Sequence, residues 1–113
     1  MHILIVSDNT DLRAATARIL EREGCEVVGA AHAGHALLAF LEAPSVDVLI
    51  ADAGMADGGA AAIAATLRRR RADLQVLYLG EPAAPAPDGR TLSHPFTEED
   101  LIRAVRTATA SRR

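Results

Sequence analysis

An α/β fold is what this sequence predicts: a doubly wound, five-stranded parallel sheet with helices on both faces. Three observations carry that prediction. Short apolar runs alternate with stretches of helical periodicity along the chain. The runs are apolar throughout rather than at every second position, as in strands buried on both faces. The third run leads directly into a carboxylate at Asp52 and the first reaches one at Asp8 just past Ser7, and ligand-binding side chains of such sheets gather at the carboxyl ends of strands.

Each element follows from its residues. His2 to Val6 is the first buried strand, and Ser7-Asp8-Asn9-Thr10 supplies helix N-cap types. From Asp11 to Glu23, Leu12, Ala15, Ile19 and Leu20 recur at helical spacing until Gly24 stops them. Glu26 to Ala31 is a second strand around Val27 and Val28. Leu37, Leu38, Phe40 and Leu41 mark a helix from Gly34 to Ala43, closed by Pro44. Val46 to Ala51 is a third buried strand, and Asp52 to Gly59 is read as a loop. Ala60, Ile63, Ala64 and Leu67 define a third helix that ends in Arg68-Arg69-Arg70-Arg71; Leu74 to Leu79 is a fourth strand. The ten residues from Gly80 to Gly89 hold three prolines and two glycines, a density that opposes a helix. The helix expected between the fourth and fifth strands is therefore shortened or lost. Arg90 to Ser93 is a short fifth strand, ended by Pro95. Thr97-Glu98-Glu99-Asp100 then opens a last helix with a good cap and an acidic first turn, and Leu101, Ile102 and Val105 form its buried face. The expected organisation is one domain over 1–110, a frayed tail over 111–113 and no further domain.

Composition narrows the function. The chain has 113 residues, half of them hydrophobic and 3% aromatic, so its core is aliphatic. A net charge of −3 speaks against nucleic acid as a partner. No apolar run approaches the ~20 residues of a membrane span. The single cysteine, Cys25, and an amino terminus without a signal-peptide pattern point to the cytoplasm. All twelve basic residues are arginines; there is no lysine.

The carboxyl-end rule selects Ser7-Asp8, Asp52, Gly80 and His94. Asp52 has two readings, a cap for the next helix or a ligand site. Asp8 at the matching end of another strand turns the balance toward a cation site, because converging carboxylates repel unless a cation joins them. A hard divalent cation is the natural guess, and Mg²⁺ needs the fewest protein ligands. Asp57 reads as a turn residue, and Cys25 as a small core residue. His2, His32 and His35 read as surface residues, since no zinc-type ligand spacing joins them. The arginine run reads as a solvated helix end favoured by the helix dipole. Pro82 and Pro85 have polyproline spacing with little around them.

Taken in order, these segments resemble the receiver domain of two-component response regulators, a flavodoxin-like fold. Leu4-Ile5-Val6-Ser7-Asp8-Asn9 is similar to that family's first strand and acidic pair. Val46 to Asp52 is similar to the phosphoacceptor strand, with Met55 three residues on. His94-Pro95-Phe96-Thr97 is similar to the Lys-Pro-Phe segment before the final helix. The resemblance spans the chain. It implies that Asp52 accepts a phosphoryl group from a histidine kinase or phosphotransfer protein. It also implies that Asp8, Asp52 and the Gly54 carbonyl ligate Mg²⁺, with Ser7 reaching it through water. It implies a signalling module rather than an enzyme with a diffusible substrate.

The chain departs from that family at five positions. Ser7 replaces the first acid and Ala56 a common proline. Gly80 stands in place of the family Ser or Thr, His94 in place of the lysine, and Thr91 where an aromatic residue is frequent. A free histidine has a pKa of about 6.5, so His94 replaces the lysine's charge only when protonated. The expected function is thus an atypical, stand-alone receiver in a bacterial phosphorelay. The alternative is a pseudo-receiver that works as a protein-interaction module without phosphorylation. A phosphatase of the haloacid-dehalogenase type would need a second Asp two residues beyond the nucleophile, where Gly54 or Thr10 stands. A dinucleotide binder would need a glycine fingerprint after the first strand, and there is none. The oligomeric state does not follow from the sequence.

Overall fold

The computed structural model describes residues 1–42, 45–80 and 90–110. Five strands, β1 (His2–Val6), β2 (Glu26–Ala30), β3 (Val48–Asp52), β4 (Gln75–Leu79) and β5 (Arg90–Leu92), pair in parallel in the order β2-β1-β3-β4-β5. Four helices accompany them: α1 (Thr10–Arg22), α2 (Ala33–Glu42), α3 (Gly59–Arg70) and α4 (Glu98–Ala110).

The apolar residues of the central strands split between two helical layers. On one face Leu4, Val6, Leu49, Ala51, Val76 and Tyr78 pack with Ala36 and Phe40 of α2 and with Ile63 and Leu67 of α3. On the other, Ile3, Ile5, Val48, Ile50, Leu77 and Leu79 pack with Leu20 of α1 and with Leu101 and Val105 of α4. Every residue of β3 is buried, as the continuous run anticipates for a central strand.

Local chemistry sets the element ends. The Asn9 side chain accepts the Leu12 N–H at 3.0 Å and starts α1. Thr97 and Asp100 form a reciprocal box at α4: the Thr97 hydroxyl accepts the Asp100 N–H at 3.1 Å, and the Asp100 carboxylate accepts the Thr97 N–H at 2.9 Å. β3 begins two residues later than the apolar run and continues through Asp52. The expected loop after it contains a 3₁₀ turn at Ala56–Gly58, which includes Asp57. Among the described residues, α4, which follows β5, is the last helix. The shortened or lost helix, the polyproline spacing and the frayed tail all fall on 81–89 or 111–113, outside the described residues.

The chain turns to opposite sides of β1 to lay down β2 and β3. The carboxyl ends of β1 and β3 therefore border the switch point where open parallel sheets form their crevices. Val6 lies opposite Ala51, which brings Ser7 and Asp52 to the same level.

Candidate functional site

Asp52 closes β3 and is 7% exposed, while Ser7 is fully buried beside it. The Ser7 hydroxyl donates to Asp52 Oδ2 at 2.7 Å, and the Gly54 N–H donates to Asp52 Oδ1 at 2.8 Å. Both oxygens of a buried carboxylate thus have a donor, as burial of a charge requires. Gly54 permits this close turn: a Cβ there would lie 3.1 Å from Asp52 Oδ1. The Ser7 oxygen itself accepts the Asn9 N–H at 3.1 Å, linking the carboxylate to the start of α1.

Asp8, next after Ser7, is exposed, as is Gly54. The available donors are all oxygens: two carboxylates and a backbone carbonyl. Each Asp52 oxygen accepts one hydrogen bond and keeps further acceptor capacity. This set fits Mg²⁺, which keeps several waters and needs one or two carboxylates. Among the described residues no three His, Cys, Asp or Glu side chains group as a metal cage.

The other side of the site lies at the ends of β4 and β5. The Ala53 N–H donates to the Leu79 carbonyl at 2.9 Å, and the Gly80 N–H to the Leu92 carbonyl at 2.8 Å. Gly80 is buried with φ +84°, a conformation that favours glycine. A Cβ at this position would meet His94 Cδ2 at 3.2 Å and the Ala53 Cβ at 4.0 Å. The exposed His94 ring leans on Phe96, with centroids 5.0 Å apart. The structure therefore brings His94 against Gly80, beside the residue that follows Asp52. Thr91 is exposed on β5.

The remaining sequence candidates have local partners. His2 pairs with Glu26 at 3.0 Å. His32 Nδ1 accepts the His35 N–H at 3.1 Å at the start of α2. The Arg71 guanidinium lies 5.9 Å from the centre of the Phe40 ring, and its Nε is 3.5 Å from an Asp73 oxygen. Cys25 is half-buried, packed against the α1–α4 side of the core.

Sequence reasoning missed Arg13. From the first turn of α1 its guanidinium reaches back and donates to the Ser7 carbonyl at 2.6 Å. A basic residue in a helix's first turn opposes the dipole, and that mismatch was the available signal.

Against known proteins, residues 3–106 match the family model described as the response regulator receiver domain. No curated protein matches the chain in sequence. Solved structures match in shape. The response regulator receiver protein from Sinorhizobium medicae is 22% identical at TM-score 0.88, covering 100% of this chain and 97% of that one. A response regulator receiver domain protein from Clostridium thermocellum is 24% identical at TM-score 0.85, covering 96% and 94%. Chemotaxis protein CheY4 of Vibrio cholerae is 23% identical at TM-score 0.85, covering 95% and 97%. At these identities the likenesses speak for the fold.

Proposed function

This chain belongs to the response regulator receiver family, and from that premise we propose that Asp52 is a phosphoacceptor in two-component signalling. The observation that carries this reading is the seat of Asp52: a nearly buried carboxylate at the β1–β3 crevice, held by Ser7 on one oxygen and Gly54 on the other. A merely capping aspartate needs neither the crevice nor a hydroxyl from another strand.

The donor would be a phosphohistidine of a histidine kinase or phosphotransfer protein. An Asp52 oxygen forms a bond to phosphorus as the bond from phosphorus to the donor's imidazole nitrogen breaks. That nitrogen leaves with the electron pair and takes up a proton. Ser7 and the Gly54 N–H fix the carboxylate during attack, and Asp8 with the Gly54 carbonyl would hold Mg²⁺. When bound, the metal supplies positive charge to the phosphoryl oxygens, the electrostatic part of such transfers. His94 stands in for the family lysine, and Gly80 leaves the family hydroxyl out.

The test is intact-protein mass after incubation with acetyl phosphate and Mg²⁺, wild type beside Asp52→Ala. A phosphoryl adduct on wild type alone is expected. An adduct on both proteins, or on neither even with a phosphotransfer donor, overturns the reading.

One observation favours a second reading, a receiver fold kept as an interaction module. The His94 ring fills the space beside Gly80 that a side chain at position 80 would need, so two parts of the family's phosphoryl-binding set are replaced together. On this reading Mg²⁺ binding is negligible and Asp52→Asn leaves partner binding unchanged.

A further inference from the structure

Arg13 is tied to Ser7, the residue that holds Asp52. Its guanidinium donates to the Ser7 carbonyl at 2.6 Å, from a helix that starts only three residues after Ser7. To do so the side chain runs along the edge of the sheet past β2. Gly29 of β2 leaves the room: a Cβ there would stand 3.2 Å from Arg13 Cδ, 3.4 Å from Cγ and 3.6 Å from Nε. The Ser7 N–H donates to the carbonyl of Ala30, the residue after Gly29 in the same strand, at 3.0 Å. Ser7 is thus gripped at both its backbone groups, and its hydroxyl is aimed at Asp52 Oδ2 at 2.7 Å.

We infer that Arg13 is a positioning residue for Asp52, acting through Ser7, and that Gly29 is the notch that admits it. The inference rests on the proposed role of Asp52 but is separable from it. Three details support it. A charge-assisted bond of this kind is among the stronger ones in a protein. Arginine near the start of a helix opposes the helix dipole, and the bond to the Ser7 carbonyl offsets that. Glycine inside a strand weakens the strand unless something approaches closely, and here Arg13 does. The arrangement also sets a cation on the backbone of the residue whose hydroxyl holds the carboxylate, in a site where Ser7 stands in place of an acid.

The experiment compares Arg13→Met, Arg13→Lys, Gly29→Val, Ser7→Ala and Arg13→Met/Ser7→Ala with wild type. The first readout is NMR at one pH: the Asn9 amide, which reports the Ser7 oxygen, and the Asp52 side-chain carboxyl carbon. Arg13→Met and Gly29→Val are expected to move both resonances in the direction of Ser7→Ala, and Arg13→Lys to restore part of the shift. If Arg13 acts through Ser7, the double variant matches Ser7→Ala alone at Asp52, because coupled residues are non-additive. An unmoved Asp52 resonance in Arg13→Met, or shifts that simply add, overturns the inference. The second readout is the rate of phosphoryl adduct formation, expected to fall about tenfold in Arg13→Met and Gly29→Val, the scale on which small misplacements slow chemistry. Absence of any adduct on wild type with the NMR pattern intact refutes the phosphoacceptor reading and leaves the positioning role of Arg13 standing. Should Gly29→Val fail to fold, Arg13→Met and its lysine rescue carry the decision.

Discussion

The His94 ring and the backbone of Gly80 share one space: a Cβ on residue 80 would lie 3.2 Å from His94 Cδ2. Two departures from the family pattern are in this way a single packing solution. Gly80→Ser is expected to lower stability by about 1–2 kcal/mol, because φ +84° is strained for a residue with a Cβ, and to leave phosphorylation no faster. His94→Lys removes the ring and adds a permanent charge. Adduct formation should then rise about tenfold, the effect of roughly 1.4 kcal/mol from a charge-assisted contact. Urea unfolding and adduct kinetics measure the two effects, and the double variant should be faster than Gly80→Ser alone.

Ser7 offers a metal-dependent prediction. Ser7→Asp would set a second carboxylate where a hydroxyl now donates to Asp52 at 2.7 Å. Without metal, like charges repel and a hydrogen bond is lost, so stability should fall by about 1–3 kcal/mol. Millimolar Mg²⁺ should return most of that loss and bind more tightly than to wild type. Thermal melts with EDTA or Mg²⁺ decide it. A variant equally unstable in both would show that no cation enters between the carboxylates.

The box at the start of α4 predicts a pH dependence. The Thr97 N–H, then the Thr97 hydroxyl, hold the Asp100 carboxyl below its ordinary value, with Arg103 adding to the effect. A carboxyl with a lowered folded pKa contributes stability that is present above the unfolded pKa. That contribution is lost as pH falls through the lowered folded value. Asp100→Asn should therefore be less stable than wild type at neutral pH, and the gap should close in acid. Thr97→Ala, which deletes the cap, should cost about 1 kcal/mol at neutral pH. Urea midpoints across pH test both.

What holds α4 to the sheet is apolar. Leu101 is fully buried, so Leu101→Ala should cost about 2–5 kcal/mol. Two ion pairs also join α4 to the α1 region, Arg22–Glu98 at 2.7 Å and Arg106–Glu23 at 3.1 Å. Their arginine side chains are 57% and 72% exposed, and such pairs are worth about 0–1 kcal/mol. Arg106→Ala should barely shift the denaturant midpoint; a loss comparable to that of Leu101→Ala would contradict this ranking.

Much of the fold was legible because it is written locally. Apolar runs become strands, Asn9 and Thr97 cap their helices, and Asp8 and Asp52 stand at strand ends by the pattern alone. What escaped is written across the sheet. Ser7 meets Asp52 over 45 residues of sequence, and only the register of β1 on β3 puts the hydroxyl on the carboxylate. The sequence marks Ser7 as a position that reaches the metal through water; that its hydroxyl donates to Asp52 follows only from the pairing of the strands. Arg13 escaped for the same reason, since its partners, the Ser7 carbonyl and the space over Gly29, belong to two strands. The contact of His94 with Gly80 depends on β5 lying beside β4.

That division also runs along the order in which a ribosome delivers the chain. Both hydrogen bonds described on the Asp52 carboxylate come from Ser7 and Gly54, and Arg13 and Gly29 lie between these two in the chain, so the groups that hold the carboxylate oxygens all fall within residues 7–54. Gly80 and His94 emerge later. The backbone of Asp52 is paired with Leu79 of β4, and the Ala53 N–H donates to the Leu79 carbonyl, so the strand that carries the carboxylate is complete only when β4 has emerged. The oxygens of the Asp52 carboxylate and its backbone thus draw their partners from different stretches of the chain, one complete two residues past the aspartate and the other delivered only with β4.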